Sequence, residues 1–342
     1  MKRHLNTLYV QTQGAYLGAR GETVKVQVEG ETRLRVPIHL IGSVVLFGRV
    51  SCSPALLALC AERGVSVAFL SEHGRFRCRV EGPVSGNVLL RREQYRRSDE
   101  PRATAELARA VVLGKIANSR TVVQRALRDQ AADDASLQAV AERLAALARQ
   151  VQLRDLDVDS IRGLEGEAAR SYFSIFDNLI KAKKEDFFFH RRSRRPPLDR
   201  VNAVLSFLYT LLLHDVASAA EATGLDPQVG FLHRERPGRP SLALDLMEEL
   251  RPVLADRVAL TLINQRQLKA RDFRQEASGA VWLEEKGRRT VLEAYQQRKQ
   301  DELRHPFLEE KMSLGLVPFV QARLLARCLR GELDGYPPFV WR

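Results

Sequence analysis

At 342 residues and 45% hydrophobic content, the chain is long enough for two domains and has the composition of an ordinary folded protein. No apolar run is predicted to span a bilayer, the basic N-terminus lacks a signal peptide's apolar run, and four cysteines without metal spacing indicate reduced thiols in the cytosol. The 54 Lys and Arg against 42 Asp and Glu give a net charge of +12, which favours a polyanion partner, most simply nucleic acid, although many basic proteins bind none.

Residues 1–85 are predicted to form a small β-rich domain, because short apolar and polar alternations are separated by turns. In the stretch TVKVQVEGETRLRVP, apolar and polar residues alternate on both sides of Glu29-Gly30-Glu31, which predicts a hairpin. The stretch from Ser53 to Gly64 predicts the one short helix, since Ser53 suits a cap, Pro54 a first position and Gly64 an end.

The chain after residue 85 has helical periodicity and almost no strand character. We expect residues 86–102 to be a linker or hinge and residues 103–342 to form the larger domain. The predicted fold class is therefore α+β with two domains, a small β-rich, sandwich-like N-terminal domain and a larger all-α C-terminal domain.

The stretch GFLHRERPGRPSLALDLMEELRP, residues 230–252, combines a histidine in a basic loop with an acidic helix. Asp245 and Glu248 are three residues apart and share a helical face, and the preceding loop delivers His233. Such a mixture of imidazole and carboxylates suits Mg²⁺ or Mn²⁺, with a distant Glu165 completing the cluster. The alternative is a loop histidine beside a solvated acidic face, and Glu165 alone also fits a carboxylate at a helix N-terminus.

Several other residues have both a functional and a structural interpretation. The loop arginines indicate either phosphate contacts or a solvated loop. The run Phe187–Phe189 indicates either stacking on nucleic-acid bases or, more simply, packing in the core. Asn202 and Tyr209 either support the site or satisfy the core, and His214 and His305 fit structural histidines. The loop arginines are Arg191, Arg192, Arg194 and Arg195.

Three segments in this order resemble the CRISPR-associated spacer integrase, the larger of the two adaptation proteins shared by most CRISPR systems. They are LEGEAARSYF, RRPPLDRVNAVLSFLYTLL and GFLHRERPGRPSLALDLMEELRP. The β-rich N-terminus fits as well, so the resemblance covers essentially the whole chain. The basic loop and the DLMEELRP ending resemble type I systems.

This resemblance implies a metal-dependent DNA integrase and endonuclease that inserts prespacer DNA into a CRISPR repeat array. It places the family's ligands for Mg²⁺ or Mn²⁺ at Glu165, His233 and Glu248, with Asp245 as a ligand or close support. Glu167 is not the motif glutamate, whereas Glu249 is not fully excluded by the sequence.

The resemblance also implies partners: DNA, a second copy of the chain, and a small ferredoxin-like adaptation protein. A 3′-hydroxyl of the prespacer would attack a phosphodiester at the repeat boundary, and attack by water would make the same site a nuclease. The alternatives are a non-catalytic DNA-binding scaffold and a free-standing nuclease or transposon-type integrase.

Overall fold

The N-terminal part consists of two four-stranded sheets and one helix. The computed structural model describes residues 6–80, 82, 88–129 and 134–341. The strands are β1 (Asn6–Val10), β2 (Tyr16–Arg20), β3 (Thr23–Val28), β4 (Glu31–Pro37), β5 (Ile41–Phe47), β6 (Ser51–Cys52), β7 (Ser66–Leu70) and β8 (Phe76–Val80), and helix α1 (Pro54–Glu62) lies between β6 and β7. One sheet has the order β4-β3-β2-β6 and the other β1-β5-β7-β8.

The predicted hairpin and the predicted short helix are both confirmed. Strands β3 and β4 pair antiparallel across a two-residue turn in which Glu29 and Gly30 have positive φ, as a tight hairpin requires. Helix α1 begins at Pro54, and the Ser53 hydroxyl accepts a hydrogen bond from the Leu56 amide at 3.1 Å.

Both faces of the second sheet are buried. Successive side chains of β5 point to opposite faces and therefore enter two different cores. Val44 and Leu46 lie in the core of the N-terminal part. Val45 and Phe47 lie in the larger core formed with the helices, and the Phe47 ring is 5.9 Å from that of Phe207. The sheet therefore joins the β-rich part to the helical part.

The larger part is helical, as predicted. Its helices are α2 (Val88–Asp99), α3 (Pro101–Asp129), α4 (Ala135–Leu153), α5 (Val158–Ser174), α6 (Arg200–Ala222), α7 (Ser241–Glu248), α8 (Arg257–Asn264), α9 (Glu285–Gln300) and α10 (Val317–Leu329). It is not purely helical, since β9 (Phe273–Gln275) pairs with β10 (Val281–Leu283) and β11 (Glu302–Arg304) with β12 (Lys311–Ser313). These strands of three residues are too short to produce a readable alternation in the sequence.

The segment predicted to be a linker or hinge, residues 86–102, contains helix α2, and residues 86 and 87 lie outside the described residues. The buried Gln94 side chain of α2 donates to the carbonyls of Asp226 and Val229, at 2.8 and 2.7 Å. Helix α2 thus fixes the loop that leads to His233. The domain boundaries at 85 and 102 stay predictions.

Helix α6 is long and apolar enough, by length and composition, to cross a membrane. It extends well beyond the apolar run Ala203–Leu213 on which the sequence prediction rested. However, 67% of its apolar window is buried inside the protein, which is the pattern of a core helix.

Candidate active site

Helix α5 carries Glu165 near its midpoint. Asp157 caps the helix, and its side chain accepts from the Ser160 amide at 2.7 Å. Glu165 therefore lies in the middle of the helix, so the interpretation of Glu165 as a carboxylate at a helix N-terminus is wrong. That interpretation overlooked the capping aspartate, Asp157, which precedes Glu165 by eight residues.

Asp245, on α7, holds the loop that carries His233. Its two carboxylate oxygens accept from three consecutive backbone amides: Phe231 at 2.6 Å, Leu232 at 3.0 Å and His233 at 2.9 Å. The loop reaches α7 because Gly230 has no side chain. A Cβ on Gly230 would lie 2.7 Å from both the Asp245 Oδ2 and the Ser241 carbonyl carbon.

The same carboxylate fixes the His233 ring. His233 Nδ1 lies 2.7 Å from Asp245 Oδ1. Since an ionised carboxylate only accepts hydrogen bonds, Nδ1 carries the proton and Nε2 is left with a free lone pair. Nε2 lies 3.8 Å from Glu248 Oε1. Asp245 is therefore an orienting group for the imidazole, in the way that carboxylates orient metal-bound histidines.

Glu248 is buried and surrounded by positive charge. Arg251 Nη1 lies 2.6 Å from its Oε1, and Lys115 Nζ 2.6 Å from its Oε2. Burial alone would raise the pKa of Glu248, but Arg251, Lys115 and His233 outweigh it and hold the pKa below its usual value. Glu248 is accordingly a carboxylate near neutral pH.

Lys115 also joins Glu165 to Glu248, because its ammonium contacts Glu165 Oε1 as well. Glu165 and His233 are partly open to solvent, with 24% and 21% of their side chains exposed, whereas 2% of the Glu248 side chain is. The predicted residues thus form a partly open cluster, called the pocket below, and Glu248 is more deeply buried in it than Glu165 or His233. In the described ranges, no three His, Cys, Asp or Glu side chains stand close enough to hold a metal as they are.

The donor set nevertheless fits a divalent cation. Glu248 Oε2 is buried, and its partner among the described residues is the Lys115 ammonium, 2.6 Å away. This oxygen is therefore satisfied by a cation. Two carboxylates and one imidazole with an aligned Nε2 match the oxygen and nitrogen ligands of Mg²⁺ or Mn²⁺, and the Lys115 ammonium lies between the two carboxylates.

Tyr209 connects the site to the basic loop. The guanidinium carbons of Arg251 and Arg192 lie 5.0 and 5.1 Å from the centre of its ring. The Tyr209 hydroxyl donates to Asp256 Oδ1 at 2.7 Å. Tyr209 therefore supports Arg251, which pairs with Glu248, and this favours the site-supporting interpretation of Tyr209.

Three of the four loop arginines are exposed, and the fourth is not. Arg192 donates to the side chains of Asn202 and Ser206, at 2.7 and 3.1 Å. Asn202 also accepts from the Ser193 amide and donates to the Arg191 carbonyl, so it shapes the loop from inside. The exposed arginines are Arg191, Arg194 and Arg195.

Most of the remaining residues have structural roles. Phe187 and Phe189 are buried against other aromatic rings, and Phe188 is 40% exposed. His305 is fully buried and hydrogen-bonded to Gln321 and two backbone amides. His214 is buried without a hydrogen-bond partner for its ring, and burial lowers its pKa to about 4.

Glu249 points away from the site. Its carboxylate accepts from Tyr336, the Phe339 amide and Gln321, which fastens the C-terminal segment to the core. Burial raises the pKa of Glu249 to about 8 against the effect of these donors. Glu249 thus holds the C-terminal segment, and Glu248 belongs to the pocket.

Two residues of the pocket were missed from the sequence, Lys115 and Arg251. Lys115 is flanked by Val111, Val112 and Ile116 in a buried part of α3, and a lysine there requires a carboxylate partner. Arg251 follows Glu248 by one helical turn. Both signals are visible in the sequence but do not identify the partner.

Comparison with known proteins gives one consistent result. The family described as CRISPR associated protein Cas1 matches residues 8–297. CRISPR-associated endonuclease Cas1 1 of Chlorobaculum tepidum is 54% identical over 344 residues, and CRISPR-associated endonuclease Cas1 2 of Rhodospirillum rubrum is 55% identical over 347, with 100% of each chain covered.

Solved structures agree in fold. A CAS1 protein from Thermotoga maritima has a TM-score of 0.80 at 24% identity, covering 96% of this chain and 97% of that one. A casposase bound to integration product has a TM-score of 0.83 at 21% identity, covering 99% and 95%. The β-rich and helical parts described above therefore follow the Cas1 arrangement.

Proposed function

The chain belongs to the Cas1 family of CRISPR-associated proteins, and we propose that it is a metal-dependent DNA integrase and endonuclease of CRISPR adaptation. Its reaction would be attack of a prespacer 3′-hydroxyl on a phosphodiester of the repeat array. Two relatives that it matches along their whole length are named endonucleases. The observation that carries the proposal is the pocket in which His233 Nε2 faces the buried Glu248 carboxylate.

Glu165, His233 and Glu248 would hold Mg²⁺ or Mn²⁺. When bound, such a cation offsets charge on the phosphate in the transition state and makes an attacking hydroxyl more nucleophilic. The carboxylates supply negative charge, and the imidazole supplies a neutral nitrogen. Asp245 would remain outside this set, since its oxygens already accept hydrogen bonds from the loop and from His233.

The other pocket residues would orient and balance charge. Asp245 keeps the proton on Nδ1, so that Nε2 stays free as a ligand. Arg251 stays on Glu248 and keeps that carboxylate ionised. DNA would enter on the side where Glu165 and His233 are exposed, because Glu248 is more deeply buried.

The partners we propose are prespacer DNA, the CRISPR repeat, a second copy of the chain and a small ferredoxin-like adaptation protein, in the cytoplasm of a cell with a type I system. A chain in a solved Cas6-RT-Cas1–Cas2 complex has a TM-score of 0.82 at 23% identity, and the match covers 100% of this chain and 37% of that one. The net charge of +12 suits a protein that holds two DNA molecules at once.

The alternatives are less well supported, one by the pocket and the others by the comparisons. A non-catalytic scaffold has no need of an imidazole aligned by a buried carboxylate. A transposon-type integrase or a free-standing nuclease would use the same chemistry. The fold likeness to a casposase fits either integrase, whereas the identity to CRISPR-associated relatives over the full length favours adaptation.

An integration assay tests the proposal. Labelled prespacer DNA, a supercoiled plasmid with a repeat array and the small partner protein are incubated with Mg²⁺, Mn²⁺ or EDTA. We expect integration with either metal and none with EDTA. Glu165→Gln should abolish it and Glu167→Gln should not, because Glu167 pairs with Arg143 on the surface. Integration by Glu165→Gln at the wild-type rate would contradict the proposal.

A further inference from the structure

Lys115 is a buried lysine in the middle of α3, and its ammonium occupies the space between two carboxylates. Nζ contacts Glu165 Oε1 and lies 2.6 Å from Glu248 Oε2, with 10% of the side chain exposed. A buried ammonium is costly unless it is paired, and this one has two partners from two different helices. Its position therefore holds α5 and α7 together at the pocket.

We infer that Lys115 is a built-in counter-ion, which holds Glu165 and Glu248 together while no divalent cation is bound and is displaced when one binds. This inference rests on the proposed function, since it needs the metal that Glu165, His233 and Glu248 would hold. It assigns to Lys115 a role in setting the metal affinity of the site.

The Lys115 ammonium and a divalent cation would compete for the same place in the pocket. A divalent cation held by Glu165 and Glu248 would stand where the ammonium now stands, and two cations cannot share one position. Nζ lies 2.6 Å from Glu248 Oε2, and among the described residues this buried oxygen has no other partner. The ammonium thus fills the place of a cation beside Glu248, and its departure would leave that oxygen unpaired unless another cation took its place.

When a divalent cation binds, Lys115 would leave the two carboxylates, whereas Arg251 would stay on Glu248. Arg251 pairs with the other oxygen of Glu248 and also lies over the Tyr209 ring, so a planar group is fixed on two sides. Among the described residues, the ammonium of Lys115 pairs with the two carboxylates alone, and it is carried on a flexible four-carbon stem. Glu165, its more exposed partner, marks the side toward which the ammonium would move.

A competing role is that Lys115 stays beside the cation and contacts the phosphate of the DNA. The two roles predict opposite effects on metal binding without DNA. If Lys115 is a competitor, its removal strengthens metal binding. If Lys115 only contacts DNA or helps the metal, its removal leaves metal affinity unchanged or weakens it.

The test measures Mn²⁺ binding by calorimetry on the full-length chain without DNA. Lys115→Met and Lys115→Gln should bind Mn²⁺ at least about tenfold more tightly than wild type, since a competing charge is gone. Both should have a lower melting temperature without metal and a larger increase with Mn²⁺ than wild type. Lys299→Met is the matched control, because Lys299 is a buried lysine paired with Asp215 at 2.8 Å elsewhere in the fold.

A second measurement needs no variant that must fold. Wild-type protein is methylated with formaldehyde and dimethylamine borane, with and without saturating Mn²⁺, and the modified lysines are quantified by mass spectrometry. We expect methylation of Lys115 to increase several-fold with Mn²⁺, relative to Lys299 in the same sample. Equal methylation of Lys115 in both states would overturn the inference.

The outcomes separate this inference from the proposed function. If wild type binds Mn²⁺, Glu165→Gln does not, and both Lys115 variants bind with wild-type affinity or more weakly, the counter-ion role is wrong and the metal site stands. If neither wild type nor the Lys115 variants bind Mn²⁺, the inference and the proposed metal site fall together.

Discussion

Asp245 is the residue on which the geometry of the pocket depends most. Its two oxygens receive four hydrogen bonds, three from the backbone of the loop and one from the ring of His233. Charge-assisted bonds of this kind are stronger than neutral ones, and together they set both the path of the loop and the tautomer of the imidazole. A single carboxylate thus fixes the orientation of a loop histidine, whose Nε2 lies 3.8 Å from Glu248 Oε1.

Replacing Asp245 by asparagine should therefore damage the site without unfolding the protein. In Asp245→Asn an amide NH₂ takes the place of one oxygen and faces a backbone donor, so the loop and the His233 ring lose their alignment. We expect integration to fall by about 10- to 100-fold, with partial recovery at high Mn²⁺. An integration assay with a Mn²⁺ titration measures both, and wild-type integration in Mg²⁺ would contradict the role of Asp245.

Glu249 should give the protein a pH-dependent stability. Burial raises its folded-state pKa to about 8 from an ordinary 4.5, so the folded protein keeps a proton that the unfolded chain releases above about pH 4.5. Stability should then fall as the pH rises from about 4.5 to about 8, by up to a few kcal/mol at about 1.4 kcal/mol per pKa unit.

The variant Glu249→Gln tests this directly, since an amide cannot ionise. Urea unfolding at several pH values should show a flatter dependence for Glu249→Gln than for wild type, and equal or greater stability at pH 8. The surface variant Glu167→Gln is the control and should keep the wild-type slope. Glu249→Gln should also integrate DNA normally, because its side chain faces Tyr336 and not the pocket. An unchanged slope in Glu249→Gln would refute the buried proton.

At the scale of elements, the pocket is an assembly of α3, α5, α7 and the loop between α6 and α7. Glu165 comes from α5, Lys115 from α3 and Glu248 from α7. The loop is held from two sides, by Asp245 of α7 and by Gln94 of α2. The position of His233 relative to Glu248 therefore depends on how closely the loop approaches α7.

Gly230 makes that approach possible, so Gly230→Ala should disturb the site. The added Cβ would meet backbone of α7 at 2.7 Å, and the loop would have to move away. We expect a loss of about 1–3 kcal/mol in the free energy of unfolding and a large drop in integration. Gly163→Ala is the matched control, because a Cβ at Gly163 meets nothing within 4 Å. Equal stability and activity of Gly230→Ala and Gly163→Ala would show that the loop tolerates the shift.

The basic loop before α6 should contribute to DNA affinity through its three exposed arginines. If Arg191, Arg194 and Arg195 contact phosphates, their combined replacement by alanine should reduce the slope of log affinity against log salt by about one unit per lost contact. Arg192 is left in place because it holds Asn202 and Ser206. Fluorescence anisotropy with labelled duplex DNA measures the slope.

The control for this loop replaces Arg327 and Arg330, which are both paired with Glu332 at the end of α10. This double variant should keep the wild-type slope. If the triple loop variant also keeps it, the loop is not part of the DNA surface, and the net charge of +12 must act elsewhere.

At the scale of the whole molecule, the sequence predicts the fold well and the pocket only in part. The hairpin at Glu29-Gly30 and helix α1 follow local rules of turns and caps, so they are readable from neighbours in the chain. Lys115 lies 50 residues from Glu165, and that pairing depends on the packing of α3 against α5. No local pattern contains such a contact.

The two neighbours Glu248 and Glu249 show the same limit. On a helix, neighbouring side chains point in directions about 100° apart, but this spacing does not show which of the two faces the pocket and which one faces the C-terminal segment. The answer depends on Tyr336 and Phe339, which are about 90 residues further along the chain. The resemblance to a family assigns the ligand role to Glu248, without fully excluding Glu249.

The most direct test of the pocket is a crystal structure of the full chain soaked with Mn²⁺, with anomalous diffraction to locate the metal. We expect one strong anomalous peak about 2.0–2.3 Å from carboxylate oxygens of Glu165 and Glu248 and from Nε2 of His233, with Asp245 still bonded to Nδ1. A peak elsewhere, or none at a Mn²⁺ concentration that supports integration in solution, would contradict the assignment of these three residues as the metal ligands.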